Sequence, residues 1–165
     1  MRLFVAIPLS QNMRDSLISC QNELYDLGIS GNYSPEENLH ITLAFIGEYP
    51  NPDAVLDALS GISFTPLPIS LNGIGAFGDL WWVGISGSPA LKAVSRRIRH
   101  ALSEHSIPFD KKEFSPHITI LRRASASIIP AVELKPASTM VDRIVLYRSD
   151  RGKNRMIYTE LGQIQ

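Results

Sequence analysis

The tripeptide His-Ile-Thr occurs twice, at His40-Ile41-Thr42 and His117-Ile118-Thr119, 77 residues apart in a chain of 165. With only four histidines and five threonines present, chance is a poor account of the coincidence. Each triplet opens an apolar run, Leu43-Ala44-Phe45-Ile46 after the first and Ile120-Leu121 after the second, so both are predicted to lie on strands. Residues i and i+2 of a strand share a face. His40 and Thr42 therefore point one way, with Ile41 and Leu43 opposite. His117 and Thr119 do likewise, backed by Ile118 and Ile120. A polar face that is buried without partners costs stability, so two faces built alike are expected to meet across a shared cleft. The competing expectation is a pair of core histidines, each bonded to a backbone carbonyl. It suits a lone histidine better than a duplicated pair.

Two facing His-x-Thr pairs match the needs of an in-line displacement at phosphorus. That reaction wants a base on the attacking side and an acid on the leaving side. One strand cannot supply both, whereas two facing strands can. Histidine suits either task, because an unperturbed pKa near 6.5 lets one ring be neutral while the other is protonated. The threonine hydroxyls can donate to the non-bridging phosphate oxygens as these gain charge. A zinc site would need further ligands, for which Glu36, Glu37 and Glu113 are the nearest in sequence, and H-x-T supplies no second nitrogen. No G-x-S-x-G turn accompanies the histidines. Gly73-Ile74-Gly75 lacks the third glycine and the following helix of a dinucleotide site. No metal and no cofactor is expected.

The rest of the chain places these motifs. Hydrophobic residues make up 44%, enough for a core in one compact domain, and the formal net charge is +0. A balanced chain does not coat nucleic acid through bulk charge, so any such contact is local. The single cysteine, Cys20, allows no internal disulfide and reads as a packed small hydrophobe. The opening Met1–Pro8 is too short to span a membrane and lacks a leader's cleavage pattern. A cytoplasmic monomer with no membrane contact is expected.

Three helices are predicted. The first follows Ser10 as N-cap, carries Met13, Leu17, Leu24 and Leu27, and stops at Gly28. The second starts at Asn51-Pro52 and the third at Ser88-Pro89. On the third, Arg96, Arg97, Arg99 and His100 are expected to form a solvated face. Strands are predicted at 2–8, 39–46, 67–75, 80–86, 116–122, 141–149 and 155–161, the last two forming a hairpin. Trp81 and Trp82 are expected in the core. Many strands follow one another without a helix between them, which argues for α+β with antiparallel sheets.

The sequence resembles the two-histidine phosphoesterase superfamily, and more narrowly the RNA 2′,3′-cyclic phosphodiesterases also called 2′–5′ RNA ligases. The resemblance rests on the opening Arg2-Leu3-Phe4-Val5-Ala6-Ile7, on Glu37–Glu48 around the first triplet, on Phe114–Arg122 around the second, and on the closing Tyr158-Thr159. It implies a bilobal fold with pseudo-twofold symmetry: two antiparallel sheets, outer helices and a central cleft. It implies opening of a 2′,3′-cyclic phosphate on an RNA terminus or small nucleotide to a 2′-phosphate, with 2′–5′ ligation as the reverse chemistry; the alternatives are a phosphodiesterase for another small cyclic phosphate and a nucleotide-binding module without turnover. His40 would be the proton donor and His117 the proton acceptor, and Thr42, Thr119 and Arg122 would bind the phosphate. Strand parity puts Arg122 on the face opposite His117, with Arg123 on the histidine face, and makes Phe45 a core residue. The chain is short for the family, so loops that grip a longer RNA are expected to be reduced.

Overall fold

The computed structural model describes residues 1–164, the side chain of Ser88 excepted. In chain order the elements are β1 (Arg2–Pro8), α1 (Gln11–Asp26), β2 (Asn32–Tyr33), a 3-10 turn (Glu36–Asn38), β3 (His40–Glu48), α2 (Pro52–Leu59), β4 (Leu67–Phe77), β5 (Leu80–Ser86), α3 (Ser88–Glu104), β6 (His117–Arg122), β7 (Ser138–Val141), β8 (Ile144–Arg151) and β9 (Met156–Ile164). The strands form two antiparallel sheets, a four-stranded one ordered β3-β1-β8-β9 and a five-stranded one ordered β2-β6-β5-β4-β7. Helix α1 packs against β6 and β7, while α2 and α3 lie against β9 and β3. One face of each sheet is thereby covered, and buried side chains from both sheets join a single apolar cluster. The α+β architecture expected from the element order is the one found.

The local grammar holds with adjustments. Asn51 caps α2, accepting from the Ala54 N–H at 3.2 Å. Ser10 occupies the cap position of α1, but its hydroxyl bonds Asn12 instead of the helix backbone. Leu27 is the C-cap and 55% exposed rather than on the buried stripe. Gly28, at φ 87°, closes the helix in the left-handed conformation that glycine tolerates. The cap of α3 is Gly87, one residue before the expected start. Its basic face is solvated as expected: Arg96 and Arg97 are exposed, and Arg97 and Arg99 donate to the Ser63 and Lys112 carbonyls, both at 2.7 Å. Cys20 is fully buried, and burial pushes its thiol up to about 11. No helix among the described residues is long and apolar enough to cross a membrane.

The expected strand 141–149 is in fact two strands in different sheets. β7 ends at Val141 beside β4, and β8 begins at Ile144 between β1 and β9. The Asp142-Arg143 pair carries the chain from one sheet to the other. Val141 before the break and Ile144-Val145-Leu146 after it read as one strand, which hides the break from periodicity.

Candidate active site

β3 is an edge strand of the four-stranded sheet, and β6 lies inside the five-stranded one. The two strands approach each other, so both His-x-Thr faces open onto one cavity of about 710 Å³. His40, Thr42, His117, Thr119 and Arg122 all line it.

Each motif strand is bulged at the residue after its threonine. In β3, Val5 pairs with Ala44 and Ala6 with Thr42, so Leu43 is the extra residue. In β6, Trp81 pairs with Leu121 and Trp82 with Thr119, so Ile120 is the extra residue. Two consecutive residues are then buried in each strand, Leu43-Ala44 and Ile120-Leu121, and the alternation flips beyond them. The flip corrects two expectations from strict parity. Arg122 turns to the cleft side, with His117, and Phe45 is half-buried with the Arg2 guanidinium 5.2 Å above its ring, outside the core.

A bulge frees backbone groups from the ladder, and here they are answered by buried polar side chains on the covering helices. Ser95 of α3 donates to the Leu43 carbonyl at 2.8 Å, and Gln21 of α1 donates at 2.9 Å to the Ile120 carbonyl, which also accepts from the Ser34 N–H at 3.0 Å. Ser95 is 1% exposed and Gln21 7%. Such polar residues on apolar helix faces are the signal by which sequence could have revealed the bulges, since a buried polar group needs a partner. At the end of β6, Arg123 takes φ 55° and also reaches the cleft. Gly31 crosses close behind: a Cβ there would lie 2.7 Å from the carbonyl oxygens of both Arg122 and Arg123.

The ring orientations are fixed alike. His40 Nδ1 donates to the Asn38 carbonyl at 2.6 Å, and His117 Nδ1 to the Ser115 carbonyl at 2.5 Å. In the neutral rings this leaves Nε2 as the basic atom on both. His40 Nε2 is 2.9 Å from Thr42 Oγ1. Phe4 and Tyr158 flank the His40 ring, with centroids 5.0 and 5.4 Å away. Desolvation in this aromatic slot drives the His40 pKa down to about 4; the Asn38 bond opposes it, and the charges of Arg122 and His117 add to it.

Around His117 the neighbours are Phe77 at 5.5 Å, edge-on, and Trp82 at 6.2 Å. Trp81 is fully buried as expected, but Trp82 is half-buried on the cleft face, because it pairs with Thr119 and not with a core position. Its ring lies over Gly75, where a Cβ would come within 2.3 Å of it. Glu36 and Glu37 are engaged by Gln11 and Arg155, and no cluster of three His, Cys, Asp or Glu side chains suited to a metal occurs among the described residues.

Sequence reasoning assigned no role to Asn38, Phe4 or the β8–β9 hairpin. Asn38 is 9% exposed, and its amide donates to the Met156 carbonyl at 2.9 Å, which ties the turn before His40 to β9.

Residues 28–153 match the model of the 2′-5′ RNA ligase superfamily. The chain belongs to this superfamily. Relatives in the superfamily include the RNA 2′,3′-cyclic phosphodiesterase of Thermotoga maritima, 26% identical over 180 residues that cover 100% of this chain and 95% of that protein. The enzyme of the same description from Archaeoglobus fulgidus is 33% identical over 130 residues, covering 74% and 72%. That from Geobacillus stearothermophilus is 29% identical over 165 residues, 91% of this chain but 52% of the relative, so the chain spans about half of that protein's length. Among solved structures, Escherichia coli LigT in its apo form superposes with a TM-score of 0.84 at 27% identity, covering 99% of this chain and 95% of LigT. LigT complexed with 3′-AMP gives 0.81 over the same shares.

Proposed function

We propose that the protein is an RNA 2′,3′-cyclic phosphodiesterase that opens the terminal ring to a 2′-phosphate and a free 3′-hydroxyl. The observation that carries this reading is the pair of His-x-Thr strands presenting two Nε2 atoms to one cleft. The names of the relatives support the substrate. His117 Nε2 takes a proton from water while the water oxygen bonds to phosphorus. The P–O3′ bond breaks, and His40 Nε2 delivers a proton to O3′. Thr42, Thr119 and Arg122 hold the non-bridging oxygens, where charge builds in the transition state. Replacing water by an RNA 5′-hydroxyl gives 2′–5′ ligation by the same proton transfers. With an RNA substrate, this reading assigns the reaction to the cytoplasm.

The acid must be protonated, yet burial keeps free His40 neutral near pH 7. A phosphodiester anion set against the ring favours its charged form, so substrate brings the proton requirement with it. The direct test is to incubate an oligonucleotide ending in a 2′,3′-cyclic phosphate with EDTA present and identify the product isomer. A 2′-phosphate formed at full rate is expected. A 3′-phosphate, or activity that returns only with added metal, overturns the mechanism.

A further inference from the structure

Five cations line one side of the cleft: Arg122 and Arg123 at the end of β6, and Arg151, Lys153 and Arg155 on the hairpin joining β8 to β9. Among the described residues, no Asp or Glu lines it. The whole chain balances 16 Lys and Arg against 16 Asp and Glu, so this is segregation of charge and not general basicity. All five are exposed. Only Arg155 has a carboxylate partner, Glu37 at 2.5 Å; the other four form no ion pair among the described residues.

The reacting phosphate carries one negative charge, and in the reading above Arg122, which lines the cleft beside both His-x-Thr pairs, serves it. The remaining cations have nothing to neutralise on a mononucleotide. In an RNA that ends in a cyclic phosphate, the other anions lie on the 5′ side, one for each nucleotide. Resting on the reading of the site given above, we propose that the β8–β9 hairpin, with Arg123, is a track for the 5′ phosphodiesters of the RNA and makes oligonucleotides better substrates than mononucleoside cyclic phosphates. Exposed Lys and Arg tips without a base-edge partner read backbone charge and not sequence. The track is tied to the catalytic turn. Arg155 bonds Glu37, the Met156 carbonyl accepts from Asn38, and the Asn38 carbonyl orients His40. A phosphate held on the hairpin is thus held on the same body as the His40 ring.

The experiment compares kcat/KM for adenosine 2′,3′-cyclic phosphate and for a trinucleotide ending in the same group, at 50 and 200 mM salt. The wild-type protein should favour the trinucleotide by roughly tenfold or more at low salt, and the ratio should fall at high salt. In the doubly substituted Arg151→Gln, Lys153→Gln protein the low-salt ratio should collapse to within about threefold of one. Removing the same charge from the remote α3 face, with Lys92→Gln and Arg96→Gln, should leave the ratio at its wild-type value. Equal kcat/KM for the two substrates in the wild type, an undiminished ratio in the hairpin variant, or an equal loss in the α3 variant overturns the track. Turnover of neither substrate by the wild type defeats the reading of the site, and the track with it.

Discussion

Thr42 Oγ1 sits 2.9 Å from His40 Nε2, while Thr119 makes no corresponding bond to His117 among the described residues. Because His40 Nδ1 gives its proton to the Asn38 carbonyl, the neutral ring accepts the Thr42 hydroxyl proton. In the free protein the first pair is closed on itself and the second is open. An arriving phosphate must draw the Thr42 hydroxyl away from the ring, and nothing comparable stands in the way of Thr119.

Despite that asymmetry, both hydroxyls are expected to serve the phosphate. Thr42→Val and Thr119→Val keep size and remove a donor, and each should lower kcat/KM by roughly ten- to a thousandfold. Steady-state kinetics on a cyclic-phosphate oligonucleotide would measure the loss. Full activity in both variants would show that neither hydroxyl touches the phosphate.

The histidines should be required together. His40→Ala and His117→Ala should each remove most activity, with the double variant little worse than either single one. On a substrate whose leaving group departs without a proton, His40→Ala should be partly rescued and His117→Ala should not. Rescue of His117→Ala instead would exchange the two roles.

The neutral state of His40 also predicts how stability follows pH. Its pKa is about 4 in the folded protein, against about 6.5 for an unperturbed ring. Between these values the unfolded chain binds a proton that the native protein does not. This contribution therefore destabilises the fold as pH falls from about 6.5 towards 4, and it is absent above that window. Urea unfolding at pH 7.5 and 4.5 should show a larger acid loss for wild type than for His40→Ala. The difference should be no more than about 3 kcal/mol, at ~1.4 kcal/mol per pKa unit. Identical pH slopes would mean that the ring titrates as if exposed.

The bulges should depend on their helix partners. Ser95→Ala leaves the buried Leu43 carbonyl without its hydroxyl donor. Gln21→Leu removes donors to both the Ile120 and Ser34 carbonyls. Each should cost about 1–3 kcal/mol in denaturant unfolding and lower activity, although neither side chain lines the cleft. Variants as stable and as active as wild type would show that the bulges hold without them.

Much of this was legible in the sequence. The strand at 2–8 and the strand at 80–86 match the structure residue for residue, because a continuous apolar run bounded by Pro8 or Gly87 admits few other readings. The duplicated triplet located His40, Thr42, His117 and Thr119 in the cleft, since a repeated polar face on an apolar strand has few uses. What stayed hidden was whatever depends on pairing. Trp82 reads like Trp81 until β6 is laid beside it. The break at Asp142-Arg143 shows only when the two sheets are seen. The hairpin cations look like an ordinary polar turn until the fold closes them over the histidines.

The paired bulges mean that the motif is not a portable string of letters. On a regular strand, a residue five places after the histidine faces away from it. Grafting the second motif, His-x-Thr-x-x-Arg, onto such a strand would deliver one imidazole and one hydroxyl to a cleft and leave the guanidinium on the far side of the sheet. The smallest unit that can be moved to another scaffold is a strand, its neighbour in register, and the helix residue that holds the loose carbonyl. A protein engineer who counts only the letters would transfer the acid and the base without Arg122.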